Sequence, residues 1–326
     1  MPNMPQYLDS HATRATSQPA VGLRRFLPQG IRVIPQPPKD SVGKLVVDRQ
    51  LLDLDASRKM SRGPYDEHPL FMASSPATVL FETAEHASPR VPGSYKNLNR
   101  AQEPVQYEET RARMAGQLAC GRRAIDIKDL LSTTALWGVG TSSTLVALGG
   151  SGVKITDYVN SDVITDASIA IGNYMALNGY HRPTHWHFSL ADLLHMQRHE
   201  KLQAAVASTS YSREDPGSIV EHLQSVLKIE VVIHDETNAN ALIWPDSWVF
   251  TSDPPQPSVI MNDGAEIPPM TAALLTEEVD GVQNDLGFYL KRYDSEDGNV
   301  FNYAAVASYD VAQVDSLAIY IVTDTE

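Results

Sequence analysis

A chain of 326 residues, 42% of them hydrophobic, can bury one large core or two modest ones, and no run approaches the roughly eighteen apolar residues of a membrane span. Cys120 is the single cysteine, which excludes an intrachain disulfide and suits a reducing compartment. The formal net charge of −14 is divided unevenly, +5 over residues 1–63 and −19 over the rest, so a basic arm precedes an acidic body that is ill suited to reading nucleic acid.

The first residues lack the basic-then-apolar pattern of a signal peptide. Residues 1–75 are rich in Pro, Ser, Arg and Gln, with short apolar bursts at 31–34, 44–47 and 51–54, and Pro35, Pro37 and Pro38 keep the chain extended. Such a segment stays loose or gains order on another surface. Its charge favours docking on the acidic body of a neighbouring copy, and a solvated leader is the alternative. Residues 77–81 read as a strand. A long polar excursion follows, punctuated by Pro89, Pro92, Gly93 and Pro104, and its length fits an extension reaching over a neighbour.

Tyr107–Leu136 reads as one long helix anchored by Met114, Leu118, Ile125, Leu130 and Leu131, although Gly116 and Gly121 each weaken it by about 1 kcal/mol relative to Ala. A bend at 138–143 and a strand near Leu145–Leu148 lead to a stretch from Tyr158 to Gln203 that reads helix, turn, strand, helix. Ser161 and Asp162 are the expected cap and first-turn acid, and Val163, Ala167, Ala170, Ile171, Tyr174 and Leu177 form the apolar face. Asn178-Gly179 ends that helix, Thr184–Phe188 alternates as a strand, and Ser189 with Asp192 resembles a capping box. Beyond Pro216-Gly217, Ser218 and Glu221 open a further helix, followed by strands at 229–234, within 239–251, and at 285–293, 300–309 and 317–322. The body is α+β with an antiparallel bias and no internal repeat.

The chemistry-bearing residues give no convincing active site. His181, His185, His187, His195 and His199 lie close in sequence, with His185 and His187 on one face of a strand and His195 and His199 at helical i, i+4 spacing. A Glu placed as in H-E-x-x-H is missing, so the histidines read as packing and surface residues, with a metal-dependent enzyme as the alternative. Gly149-Gly150-Ser151-Gly152 matches no phosphate-loop pattern. Cys120, near Arg122 and Arg123, reads as a small core residue; the pairs Asp126/Asp129 and Glu277/Glu278 read as solvated faces. Catalytic, cofactor and metal residues are therefore all assigned as none, which points to a structural role.

The order of these features resembles the major capsid proteins of tailed phages with the HK97-like fold, over about residues 75–326. The resemblance is carried by the Pro/Gly-rich excursion from Phe81 to Pro104, the long helix, SDVITDASIAIGNYMALNGYHRPTHWHFSLADLLHMQRHEKL, SIVEHLQSVLKIEVVIHDET, LIWPDSWVFTSDPPQP and the closing strands to Tyr320. It implies an N-terminal arm at 1–75, an extended loop at 76–106, a peripheral domain with a spine helix at 107–182, an axial domain at 183–275, and C-terminal strands at 276–326 that return to the peripheral domain. Lys96, near the expected loop tip, reads as a surface lysine, with an interchain bond to Asn or Asp as the alternative.

The implied function is an icosahedral shell of pentamers and hexamers around a double-stranded DNA genome, in the virion after assembly in the host cytoplasm. Implied partners are copies of the chain itself, a portal protein, a separate scaffolding protein, a decoration protein and packaged DNA by non-specific proximity, with no membrane. An encapsulin-like nanocompartment is the rival within the fold, and a tail or decoration protein is a further alternative.

Overall fold

The computed structural model describes residues 32–36, 42–47, 77–82, 84–100, 104–207, 216–235, 237–238, 241–253, 269–277, 288–294 and 300–326. In chain order, strands β1 (Arg32–Gln36), β2 (Val42–Val47), β3 (Ala77–Glu82), β4 (Ala84–Ala87) and β5 (Val91–Ser94) precede helices α1 (Tyr95–Arg100) and α2 (Pro104–Ser132). Strand β6 (Ser142–Thr144), helix α3 (Val163–Leu177), strand β7 (His185–Ser189) and helices α4 (Leu190–Met196), α5 (Glu200–Ala207) and α6 (Pro216–Leu227) follow. The chain closes on strands β8 (Glu230–His234), β9 (Thr237–Asn238), β10 (Ala241–Leu242), β11 (Ser247–Thr251), β12 (Ala272–Glu277), β13 (Phe288–Asp294), β14 (Val300–Gln313) and β15 (Ile319–Thr323).

Two sheets carry the architecture. In the first, β14 is long enough to pair antiparallel with β13, β12, β4 and β5 in succession along its 14 residues, and β1 joins the far edge of β12 in parallel. In the second, the order is β6-β15-β11-β7-β8, with β11 antiparallel to both neighbours and the outer pairs parallel. Two of the apolar bursts in residues 1–75 thus pair within the chain, β1 with β12 and β2 with β3; the third, at 51–54, lies outside the described residues.

The alternation of β11 and β15 makes the second sheet a wall between two cores. Trp248, Phe250, Tyr320 and Val322 point to the side of α3, where they meet Trp186, Phe188, Tyr174 and Ile171. Val249, Ile319 and Ile321 point the other way and join Ala115, Leu131, Phe301 and Tyr303 beneath α2. A strand offers alternate side chains to opposite faces, so a strand buried on both sides must be apolar throughout, as these are. Residues 145–177 share the α3-side core with β7, β8 and β11, so the division between cores does not follow the border expected at 182/183.

Helix α2 lies on the first sheet through small side chains. Ala112, Ala115, Ala119 and Cys120 are buried with Ile127 and Leu131, whereas the expected anchors Met114 and Leu118 are 43% and 45% exposed. The aromatic side chains of β14, namely Phe301, Tyr303 and Tyr309, fill the space between helix and sheet, so the helix face that fits above them is built from Ala and Cys. The helix stops at Ser132 rather than Leu136, with a 3-10 turn at Thr134–Leu136, and Trp137 Nε1 donates to the Leu130 carbonyl at 3.0 Å, satisfying one of the open C-terminal carbonyls.

Elsewhere two local assignments shift. The strand expected at 145–148 is a 3-10 turn, Val146–Leu148, closed by Gly149 at φ 89°, and the strand lies just before it as β6. Helix α3 is capped by Asp162, whose carboxylate accepts from Thr165 N at 3.1 Å, while Ser161 is fully buried beside it. The capping box of α4 forms as expected, and α3 buries Val163, Ala167, Ala170, Ile171 and Tyr174.

The close approach of α2 generates a contrast. Ala115→Leu inserts three carbons into a fully closed face and is expected to cost about 1–3 kcal/mol, whereas Met114→Ala on the opposite face is expected to stay within about 0.5 kcal/mol; urea unfolding of the unassembled subunit compares the two.

Candidate functional site

The five histidines divide between separate places. His185 and His187 lie on β7 with ring centroids 6.2 Å apart, and His187 continues the row to His234 on β8, Nδ1 to Nε2 3.1 Å. The other nitrogen of His187 meets Thr251 Oγ1 at 2.9 Å, so both nitrogens of this fully buried ring are engaged. His234 in turn stacks on Trp244, centroids 3.9 Å apart and ring planes nearly parallel. Burial holds the His187 imidazole well below its ordinary range, and His234 and His185 push it the same way. Burial also lowers His185, against the pull of Glu230, whose Oε2 lies 3.2 Å from His185 Nε2.

His195 and His199 gather instead around Tyr158: the phenol oxygen lies 2.9 Å from His195 Nδ1, and the His199 ring meets the Tyr158 ring edge-on at 5.6 Å. His181 sits in the turn after α3, where its N–H donates to the Asn178 carbonyl. Among the described residues no three His, Cys, Asp or Glu side chains are placed to hold a metal ion.

The remaining sequence candidates also resolve into structure. Burial raises the Cys120 thiol above its ordinary value, against the pull of Arg123, as for a core residue and unlike a nucleophile. Asp126 accepts from Tyr309 Oη at 2.6 Å and pairs with Arg122 at 3.0 Å, while Asp129 pairs with Lys128, so the two carboxylates have different partners. Glu278 lies outside the described residues. The glycine-rich turn does wrap an anion, but an internal one: Asp166 accepts from Ser151 N and Ser151 Oγ, each at 2.6 Å, and a Cβ on Gly150 would stand 2.0 Å from Asp166 Oδ1. Lys96 falls in α1 at the foot of the excursion, next to Tyr95 on Phe301, rather than near a loop tip.

Sequence reasoning missed Arg292. From β13 its guanidinium meets Glu108 of α2 at 3.2 Å, Asp294 at 3.2 Å and Tyr95 Oη of α1 at 2.7 Å, and it lies over the Phe301 ring at 4.9 Å. One side chain thus fastens α1, α2 and β13 to β14. In sequence it is one of two adjacent basic residues in an aromatic strand, FYLKRYD, and no spacing distinguishes it from its neighbour Lys291.

What the described surface does offer is unpartnered apolar area. Met114 and Leu118 are one turn apart on the outer side of α2, and beyond its end Leu136, Val139 and Tyr180 stand out, Val139 at 97% and Tyr180 at 79% exposure. None of the described helices is long and apolar enough to cross a membrane.

No protein-family model matches this sequence, and no curated protein sequence does. Solved structures match along almost its whole length. A phage-related protein from Bordetella bronchiseptica RB50 is 15% identical, with 98% of this chain and 97% of that chain covered and a TM-score of 0.57. A virus-like particle from Pyrococcus furiosus is 10% identical, with 97% and 98% covered and a TM-score of 0.52. The mature capsid of bacteriophage PhiM1 is 9% identical, with 91% and 86% covered and a TM-score of 0.50. The chain therefore has the α+β, HK97-like fold of phage capsid subunits, reached through a sequence that shares few residues with theirs.

Proposed function

We propose that this chain is the major capsid protein of a tailed double-stranded DNA phage, assembling into pentamers and hexamers of an icosahedral shell. The observation that carries the reading is the likeness of fold, end to end, to a phage-related protein, a virus-like particle and a phage capsid. The charge division and the uncovered apolar positions on α2 support it, because a subunit that meets copies of itself on several sides leaves area for them to bury.

In this reading the arm lies within residues 1–75 and the extended loop within 76–106, both tied to the first sheet through β1, β4 and β5; α2 is the spine of a peripheral domain that takes in that sheet, and the axial domain is built on the second sheet. Because 145–177 packs on that sheet, we set the peripheral–axial border ahead of it instead of at 182/183. The protein acts as a structural element without a catalytic site, and resides in the virion after assembly in the host cytoplasm. Its partners are copies of itself, a portal protein, a separate scaffolding protein, a decoration protein and packaged DNA. The acidic body gives that DNA a wall to which it does not adhere.

A second reading is an encapsulin-like compartment; the likeness to the virus-like particle over 97% of this chain supports a closed shell as such.

Sedimentation of the purified chain followed by negative-stain imaging is expected to show megadalton shells, capsomers or sheets; a stable monomer or dimer would sink both readings, and nucleic acid against protein inside native particles separates them. Met114→Glu with Leu118→Glu is expected to leave the subunit folded by circular dichroism while reducing the assembled fraction at least about tenfold, since two charges buried at a subunit contact cost well over 1.4 kcal/mol. Deleting residues 1–60 is expected to yield open sheets or irregular particles where the full chain closes.

A further inference from the structure

Asp192, Asp246 and Thr325 place two carboxyl groups about one hydroxyl. Asp192, in the first turn of α4, is fully buried; its Oδ2 accepts from Ser189 N at 3.2 Å and from Ser189 Oγ at 3.0 Å. Its other oxygen, Oδ1, faces Thr325 Oγ1 at 3.1 Å. Thr325 Oγ1 is at the same time hydrogen-bonded to Asp246 Oδ1, which also accepts from Glu326 N at 2.8 Å.

A hydroxyl has one proton and can donate it to only one of these carboxylates. Thr325 is itself fully buried, so water does not supply a second proton at its oxygen. Both contacts are satisfied together only when one carboxyl group carries a proton of its own. Asp246 is exposed and keeps its hydration, while Asp192 is not, and desolvation favours the neutral form of the buried partner. The proton therefore belongs on Asp192 Oδ1, giving a chain in which Asp192 donates to Thr325 and Thr325 donates to Asp246.

We infer that residues 325–326 form a proton-operated latch, closed when Asp192 takes up a proton and loosened when it releases one. The latch ties three separate places. Thr325 and Glu326 are held to α4 through Asp192, to the turn before β11 through Asp246, and to residue 155 through the bond from Ile155 N to the Thr325 carbonyl at 2.9 Å.

Charged groups around it are Asp246, Asp324 and Glu326 on the acidic side, with Lys154 paired to Asp324 and His195 Nε2 4.0 Å from Glu326 Oε1. Burial, with the charge of Asp246 adding to it and the hydrogen bonds that Ser189 and, to the ionised form, Thr325 can donate opposing, pushes Asp192 up to about 7. A carboxyl whose pKa is raised in the closed state contributes its full stabilisation below its ordinary range near 3.8 and loses it as pH rises towards 7, so alkali opens the latch. This inference holds whether or not the chain builds a shell.

Hydrogen exchange of the peptide spanning 319–326 in the full chain, corrected for the intrinsic effect of pH, reads the latch directly because the Glu326 amide is one of its bonds. Between pH 6 and pH 8.5 the opening equilibrium is expected to rise about tenfold, the linkage expected for a closed-state value of about 7 against an ordinary carboxyl once open. Asp192→Asn places an amide N–H where the acid O–H stood; it is expected to remove the pH dependence and to protect the peptide more than the wild type at pH 8.5. If Asp192→Asn does not fold, Asp246→Asn, at an exposed position, is expected to shrink the tenfold ratio by removing the opposed charge. A flat wild-type ratio would overturn the inference, as would an Asp192→Asn variant less protected by the same factor at both pH values, the mark of an ionised carboxylate acting as a plain helix cap.

Discussion

Side chains on β11 and β15 point alternately into two cores, and this division constrains everything built on either side. Trp248, Phe250, Tyr320 and Val322 belong with α3; Val249, Ile319 and Ile321 belong with α2 and β14. A slip of one residue in either strand would send every one of these side chains into the wrong core, so the register is fixed from both faces at once. Neither core can be repacked without moving the wall that bounds the other. The coupling is mechanical: displacement of α3 reaches the α2 layer through a two-faced sheet whose interior-facing residues have essentially no exposure.

The first sheet meets a different demand. Strand β14 has aromatic side chains where the first half of α2 lies on it, so the helix contributes small ones there, and Met114 and Leu118 turn outward. Arg292 compensates for what a face of alanines lacks in interlocking shape. It joins Glu108, Tyr95 and Asp294 by hydrogen bonds while its plane lies against Phe301, and burial of the pair raises Glu108 above its ordinary value in spite of the guanidinium. A charge held in this way fixes the position of α1 and α2 along the sheet, which a smooth contact between alanines and aromatic rings does not.

Much of this was legible in the sequence, and the parts that were not share a cause. Helix α3, strand β7, the capping box of α4 and the last three strands follow from periodicity and caps, because each is specified by residues within one or two turns of itself. Of the expected anchors of α2, Leu131 is buried and Leu130 packs beside it, but Met114 and Leu118 face outward, because the small-residue face at 112–120 was set by Phe301 and Tyr303, some 180 residues later. The same holds for the strand expected at 145–148, where Leu145 is drawn into the α3-side core and its N–H reaches the Thr323 carbonyl at 3.0 Å. Arg292 and the Asp192–Thr325–Asp246 arrangement had no local signature at all. Their partners are brought together only by the closing of both sheets.

The motifs that most resembled catalytic chemistry are turned inward for a related reason. Gly150 brings the backbone close to a carboxylate in the way that a phosphate loop does, but the carboxylate is Asp166 of the same chain, and the outcome is that the loop before α3 is fastened to the helix. On β7, His187 meets His234 and Thr251, and His185 meets Thr184 and Glu230, instead of a ligand. A chain with so much irregular backbone must find hydrogen-bond partners for it within the fold, because an unpaired buried group costs about 1–3 kcal/mol. Polar side chains at strand ends and helix starts supply those partners. Residue types associated with chemistry therefore gather at the joints of this fold, and their use there follows from the same donor and acceptor geometry that elsewhere binds a substrate.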